Sequence, residues 1–457
     1  MKEVTAIFDI GKTNKKFFLL DKDLNEIHKV YARFDEIPDD DGFPSENLPE
    51  LVNWVRETFE TAKANPDYQI THVNFSTYGA SMVHLDENHE LATPFYNYLK
   101  PVPEDFEERF LSNFDSKEDF ELSTASPYLG LLNSSLQLYY LKYYKPQLFE
   151  KVRWSLHLPQ YISSIFTGKL FSDYTSIGCH TGIWDFKRKA YADWIRSEGF
   201  ESLLPPIVAS DTIIEKDGIS FGVGIHDSSS ALIPYVDSNK DPFALISTGT
   251  WSICMNVYNS SELTEAELNA DCLHFIRPDG QSIKASRLFL GEHLRNTVKK
   301  MGEHFGVSYE LYKDVSWSEG HIDLRSETIQ LLFDHSILKP ERFGFLNGSD
   351  ANFVKFKSFE EAVHQLFNEL TDLQISSLQL AIGDSEVKKV FIDGGFSSSE
   401  VFTNYLAIKL PQFEIYSSSF PLGSTLGAAL IMKKKPLSED FLDNVYEVQR
   451  IQPKPSS

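Results

Sequence analysis

The chain has 457 residues, with 43 Lys+Arg against 66 Asp+Glu and a formal charge of −23, so it lacks the basic surface that nucleic acid or an anionic membrane demands of a partner. Its 42% hydrophobic and 24% charged residues are the balance of a soluble globular protein, and at about 100–200 residues per domain the length implies two to four domains. Three cysteines, Cys179, Cys254 and Cys272, with no CxxC pair, argue against a disulfide framework or a thiolate zinc site and point to a reducing cytoplasmic compartment.

Along the chain, Val4 to Phe8 reads as a buried strand and Phe17 to Leu20 as a second, joined by the turn Asp9-Ile10-Gly11-Lys12-Thr13-Asn14-Lys15-Lys16. Because Asp9 breaks the first apolar run, no signal-peptide core is expected. Leu51, Trp54, Val55, Phe59 and Ala62 then space as one helix face, and a strand beginning at His72 runs into Gly79. The uncharged stretch from Leu122 to Leu141 contains Pro127 and many hydroxyl and amide side chains, which makes it a poor membrane span. Near residue 243 the pattern restarts. Phe243 to Met255 is strand, polar turn (Ser247-Thr248-Gly249-Thr250-Trp251-Ser252) and strand. A helix face follows at Ala362, Val363, Leu366, Phe367, Leu370 and Leu373, opened by a capping-box pattern at Ser358 and Glu361. The strand Val390-Phe391-Ile392 ends in Asp393-Gly394-Gly395. Hairpin, helix and strand-glycine, twice in the same order, predict two similarly built α/β halves.

The chemistry-bearing residues sit in these turns. Gly11-Lys12-Thr13 imitates the end of a P-loop, but the first glycine of GxxxxGK[ST] would fall at Ala6, inside the strand, so a Walker A site is rejected. As a hairpin the turn works differently. The Asp9 carboxylate at the strand end can hold hydrated Mg²⁺, Gly11, Thr13 and Asn14 offer donors to phosphate oxygens, and Lys16 adds a cation. The Thr-rich twin at Ser247 to Ser252 supplies a second donor hairpin to face it across a phosphate chain. His226-Asp227, between Gly222-Val223-Gly224 and Ser228-Ser229-Ser230, places a carboxylate where it can act as general base toward a hydroxyl or cap the helix that starts at the serines. Paired glycines at 394 and 395 let a backbone approach a flat or anionic ligand.

Asp9-x-Gly-x-Thr-Asn, His226-Asp227, Gly249-Thr250-Trp251-Ser252 and Gly394-Gly395 with Leu426-Gly427-Ala428-Ala429-Leu430 occur in this order, and together they resemble the FGGY carbohydrate kinases of the actin-like ATPase superfamily. Asn133-Ser134-Ser135-Leu136-Gln137-Leu138, Leu158-Pro159-Gln160-Tyr161, Phe166-Thr167-Gly168 and Asp173-Tyr174-Thr175-Ser176 extend the likeness through the first half. The resemblance implies an α/β fold of two actin-like (ribonuclease H-like) domains, residues 1–242 binding sugar and 243–457 binding nucleotide, around a shared cleft. It implies transfer of phosphate from ATP, with Mg²⁺ at Asp9, to a ketose, with Asp227 as catalytic base. Gly79, Tyr96, Asn97, His226 and Asp227 would contact the sugar, and Gly11, Lys12, Thr13, Asn14, Lys16, Thr250, Gly394 and Gly395 the nucleotide. Sugar and ATP are then the partners, and the protein a monomer or homodimer.

Gly249-Thr250-Trp251-Ser252 and His226-Asp227 are most similar to the rhamnulokinase and fuculokinase branch, implying a deoxy-ketohexose such as L-rhamnulose or L-fuculose. The uncharged Asn97, where many family members carry Asp with a nearby Arg, leaves pentulose kinases of the xylulose or ribulose type as the alternative. Leu288 stands where the rhamnulokinases place an Asn before a glycine (here Gly291), and residues 309–352 match no recognised motif. A sugar-binding regulator on the same fold would need a DNA reader, for which a chain whose first strand starts at residue 4 has no room. A chaperone-type ATPase would need neither a sugar segment nor Asp227.

Overall fold

The structure is a computed structural model and describes residues 1–318, 330–418, 422–433, 437–438 and 440–452. In the first half, β1 (Lys2–Ile10), β2 (Lys15–Leu20) and β3 (Glu26–Ala32) form an antiparallel meander. Helix α1 (Leu48–Ala64), its Asn47 side chain capping the Glu50 N–H, returns the chain to β4 (Tyr68–Thr77), which pairs parallel with β1. The burial of β1 on both faces explains its apolar run. Ala6, Phe8 and Ile10 pack with Phe17, Leu19 and the α1 residues Leu51, Val55 and Phe59. Ile7 on the opposite face joins a core shared with Leu232, Leu245, Leu273 and Leu426 of other elements.

Between β4 and the strands that close this sheet lies a third core that the strand–turn pattern does not foreshadow. Phe106, Phe110, Phe120, Tyr139 and Trp194 fill it, with Phe110 meeting Phe120, Tyr139 and Trp194 edge-on at 5.1 Å in each case, the arrangement that aromatic quadrupoles favour. Within the same stretch, α2 (Leu158–Thr167) and the short α3 (Tyr174–Ile177), capped by Asp173, support the turns that follow β4. The chain then completes the sheet with β5 (Ile213–Lys216), β6 (Ile219–Gly222) and β7 (Ile225–His226), and enters α4 (Asp227–Ser238). The sheet order is β5-β6-β4-β1-β2-β3, with β7 beside β4.

The second half repeats the plan. β8 (Phe243–Thr248) pairs antiparallel with β9 (Ser252–Asn256), which continues into β11 (Ser282–Leu288) and β10 (Cys272–Ile276). Helices α5 (Leu290–Phe305) and α6 (Phe359–Ile382) lead to β12 (Lys389–Gly394), parallel to β8, and onward through α7 (Glu400–Lys409) to β13 (Glu414–Ser417). Ser358 does cap the Glu361 N–H at 3.2 Å, but Glu361 turns back to the Lys357 N–H instead of closing the expected box. Residues 319–329 of the unmatched 309–352 stretch lie outside the described residues.

In the twin sheets the matching register pair holds one acid and one serine, with the acid on the opposite strand. Asp9 of β1 lies opposite Ser76 of β4, and Ser247 of β8 opposite Asp393 of β12.

The halves join through two small-residue helices, α4 and α8 (Gly423–Lys433). They approach so closely that a Cβ on Gly427 would lie 1.8 Å from the Ser230 carbonyl oxygen. Ser230 Oγ donates to the Ser424 carbonyl at 2.6 Å, and Asn74 Nδ2 of β4 to the Ala428 carbonyl at 2.8 Å. Thus α8, from the end of the chain, packs on the sheet built at its beginning. No helix among the described residues is long and apolar enough to cross a membrane.

Candidate active site

A cavity of about 810 Å³ opens between the two sheets, walled by the turns at the ends of β1, β4, β8 and β12 and by the first residues of α4, α5 and α8. Asp9, Gly11, Lys12, Thr13, Asn14, Lys16, Gly79, His226, Asp227, Thr250 and Gly394 all line it. Gly395, next to the last of these, lies just off its wall and donates its N–H to the Thr248 carbonyl at 2.9 Å.

The first hairpin is shaped by its own bonds. Gly11 N–H closes the turn on the Asn14 carbonyl at 2.9 Å. The Lys12 ammonium is held by Glu36 at 2.8 Å and Asn14 Oδ1 by Arg33 Nε at 2.7 Å. Beneath the turn, buried Lys15 reaches Glu46 at 2.7 Å and the Lys12 carbonyl at 2.9 Å, and Tyr78 OH donates to the same Glu46 at 3.1 Å. Burial lowers the Lys15 pKa despite Glu46. This ion pair ties the hairpin to the Tyr78-Gly79 turn, so two walls of the cleft move as one. Lys16 is the cation left over the floor, 3.4 Å from Asp9 Oδ2. Thr425 Oγ1 of α8 lies 3.3 Å from the same oxygen. Two long contacts leave the buried Asp9 carboxylate weakly engaged, and Asp393 lines the same cavity. Hard carboxylate oxygens of this kind fit Mg²⁺ held partly through water.

Asp227 is the first residue of α4. Its Oδ1 accepts from Ser228 N–H at 2.6 Å and lies 3.2 Å from His226 Nε2. Burial, then repulsion from Asp9, push its pKa up to about 7, against the hydrogen bonds from Ser228 and the charge of Lys16. Its side chain keeps 32% exposure and lines the cavity. Burial holds His226 down to about 4, so the carboxylate faces a neutral imidazole and the contact is not an ion pair. Gly79 makes room for this ring, since a Cβ there would sit 3.0 Å from His226 Nε2 and 2.9 Å from Cys179 Sγ. The helix itself is not capped by Asp227, for His226 occupies the cap position.

In the second hairpin the Thr250 carbonyl accepts the N–H groups of Gly291 and Glu292 at 3.1 and 3.3 Å, so the turn caps α5 while the exposed Thr250 side chain faces the cavity. Gly291 is needed for this approach, because a Cβ would fall 2.0 Å from the Gly249 oxygen. On the neighbouring strand of the same sheet Gly394, at φ +84°, lies against Thr248, whose carbonyl oxygen would be 1.9 Å from any Cβ. Burial raises the Asp393 pKa to about 6, opposed by the Gly394 N–H, Tyr235 and Lys16.

Tyr96 and Asn97 require correction. Neither lines the cavity. Tyr96 is buried with its OH on Asp40 at 2.9 Å, and Asn97 donates to the Pro44 carbonyl at 2.9 Å while accepting the Leu99 N–H at 3.0 Å. The cause is Lys100, buried between Asp39 and Asp41 at 2.6 Å from each, which draws the polar side of the segment inward and turns Tyr98 and Leu99 into the cleft. Sequence reasoning also missed Asp393, Trp251, His180 and Arg287 as wall residues. For Asp393 the signal was present, an acid directly before Gly394-Gly395 at a strand end; His180 and Arg287 carry no pattern of their own.

Two hairpin-bearing sheets closing on a cleft with an acid in each matching register pair define the actin-like two-domain architecture. A carbohydrate kinase structure from Novosphingobium aromaticivorans superposes with a TM-score of 0.78 over 99% of this chain and 97% of that one at 19% identity, which establishes the fold. Residues 4–227 match the N-terminal domain of the FGGY family of carbohydrate kinases, so the first half of the chain is similar to that family's N-terminal domain. It is 29% identical over 198 residues to the rhamnulokinase of Oceanobacillus iheyensis, and 26% identical over 263 residues to that of Halalkalibacterium halodurans. The matched stretches cover 41% and 55% of this chain, and only 41% and 53% of those relatives.

Proposed function

We propose that this protein transfers the γ-phosphate of ATP to a hydroxyl of a ketose, with residues 1–242 as the sugar-binding domain and 243–457 as the nucleotide-binding domain. The observation that carries the reading is Asp227, a carboxylate with a pKa near 7 on the floor of a cleft whose two opposed hairpins are built to take a phosphate chain between them. Phosphoryl transfer asks a protein mainly for positioning and charge stabilisation. Lys16 and the N–H groups of the Gly11–Asn14 turn face the phosphates from one side, and the Thr250 hydroxyl and Gly394 from the other. Asp9, with Asp393 nearby, would hold Mg²⁺, which supplies positive charge to the phosphates. Asp227 takes the proton of the attacking hydroxyl on its free Oδ2, while Ser228 N–H and neutral His226 fix Oδ1 and so the direction of attack. Approach of the halves about α4 and α8 excludes water, the competing acceptor.

The rhamnulokinase relatives and the resemblance of His226-Asp227 and Gly249-Thr250-Trp251-Ser252 to that branch support a deoxy-ketohexose, L-rhamnulose or L-fuculose, as substrate. The test is kcat/KM with Mg-ATP for those two sugars against xylulose, ribulose, an aldose and a polyol. A higher value for either deoxy-ketohexose is expected. A pentulose in first place would overturn the subclass, and an aldose or polyol the ketose assignment.

A further inference from the structure

Among the described residues that line the cavity, two carry a buried nitrogen left over by the protein's own hydrogen bonding. Arg287 of β11 is 2% exposed. Its Nη2 donates to Asp271 Oδ1 at 2.7 Å, its guanidinium lies 5.1 Å from the Trp251 ring centre, and its Nε has no partner. His180 belongs to the other half, three residues after α3, and its Nδ1 likewise has no partner. The phenyl ring of Phe275 stands between the two histidines of the site, 6.0 Å from the His180 ring and 5.6 Å from that of His226. Arg287, His180, Phe275 and Asp227 line one cavity.

An unmet buried polar group costs the folded state stability. His180 adds a second cost, because its φ of +44° is left-handed, a conformation unfavourable for a non-glycine residue. Asn133 Nδ2 holds the His180 carbonyl in that conformation at 3.0 Å. Strain of this kind persists where a ligand uses it.

Resting on the kinase reading above, we propose that His180 and Arg287, one from each half, read the end of the sugar remote from the reacting hydroxyl and select an uncharged ketose. The cations that line the cavity are already paired, Arg287 with Asp271, Arg295 with Glu292, Lys12 with Glu36 and Lys16 with Asp9, and Asp9, Asp227 and Asp393 line it too, so a substrate carboxylate would meet repulsion with no unpaired cation to offset it. What Arg287 retains is an N–H for a carbonyl or hydroxyl oxygen. His180 is kept neutral by burial and by Arg287; a neutral imidazole offers one donor and one acceptor, the complement of a hydroxyl. Phe275 gives the C–H face of the sugar an apolar surface. Because the two readers sit on different halves, a bound sugar also draws the halves together.

The test uses His180→Gly, which relieves the left-handed strain and removes the ring, and Arg287→Lys, which keeps a charge for Asp271 and loses Nε–H. Each should raise the ketose KM by about tenfold, the worth of one such hydrogen bond, with KM for Mg-ATP unchanged. The Tm of His180→Gly should be equal to or above that of the wild type, whereas a merely structural histidine would lower it. Sugar KM values within about twofold of wild type in both folded variants, less than one hydrogen bond, would overturn the recognition role. Better use of the corresponding keto-acid than of the neutral ketose would overturn the substrate class. If the wild type phosphorylates no sugar, the kinase reading fails on its own, and calorimetric binding of the ketose to wild type and His180→Gly decides this one: weaker binding supports it and equal affinity refutes it.

Discussion

Replacing Asp227 by Asn exchanges one oxygen for an amide and little else. Oδ1 remains to accept from Ser228 N–H, at 2.6 Å in the wild type, beside His226 Nε2 at 3.2 Å, so the start of α4 keeps its geometry. What disappears is the free oxygen that takes the proton. A positioned general base contributes about 10²–10⁴ in rate, or about 2.7–5.4 kcal/mol of barrier at about 1.36 kcal/mol per tenfold. The pKa near 7 places Asp227 toward the upper part of that span, because a base matched to the working pH is both deprotonated and basic enough to pull. The assay is single-turnover phosphorylation with saturating Mg-ATP and sugar on variant protein whose melting temperature matches wild type. A rate within about threefold of wild type, well short of the general-base range, would refute the assignment and send the proton elsewhere.

The same residue sets a pH dependence of stability. Its folded pKa, about 7, exceeds its ordinary value of 3.8, so the folded state holds the proton more tightly, and this contribution is full below about pH 4 and lost as pH rises through 7. Melting curves should therefore show the Tm of Asp227→Asn gaining on that of wild type between pH 4 and 7 and running parallel above; a constant difference would deny the shift. Asp9→Asn should raise KM for Mg-ATP at least tenfold, by loss of the charge facing metal and phosphates, about the worth of a charged hydrogen bond, while calorimetry finds sugar affinity retained; loss of sugar affinity alone would misplace Asp9. Asn97→Ala should cost about 1 kcal/mol of stability through its lost bond to the Pro44 carbonyl and leave the sugar KM unchanged, since Asn97 braces the segment rather than touching the cavity; a raised KM with normal Tm would return it to the site.

The hairpin ends were legible because their chemistry is local. Asp9 at a strand end, the Gly11 turn and His226-Asp227 before a run of serines each announce themselves within a few residues, and all of these line one cavity. The duplicated order of hairpin, helix and strand-glycine was readable for the same reason. Tyr96 and Asn97 misled because a loop segment does not disclose which of its side chains faces the cavity; that was settled by Lys100 and its distant partners Asp39 and Asp41. The aromatic core around Phe110 stayed hidden because its members, from Phe106 to Trp194, follow no single period. Arg287 and His180 meet only through the approach of β11 and the turn after α3, a tertiary fact with no trace in spacing.

The central claim is transfer of phosphate to a sugar rather than to water. Phosphorus NMR of the protein with Mg-ATP and L-rhamnulose or L-fuculose follows both fates in one tube. A new sugar phosphate ester appearing in step with ADP, with no matching inorganic phosphate, is the predicted result; ADP and inorganic phosphate formed at the same rate with or without any sugar would contradict it.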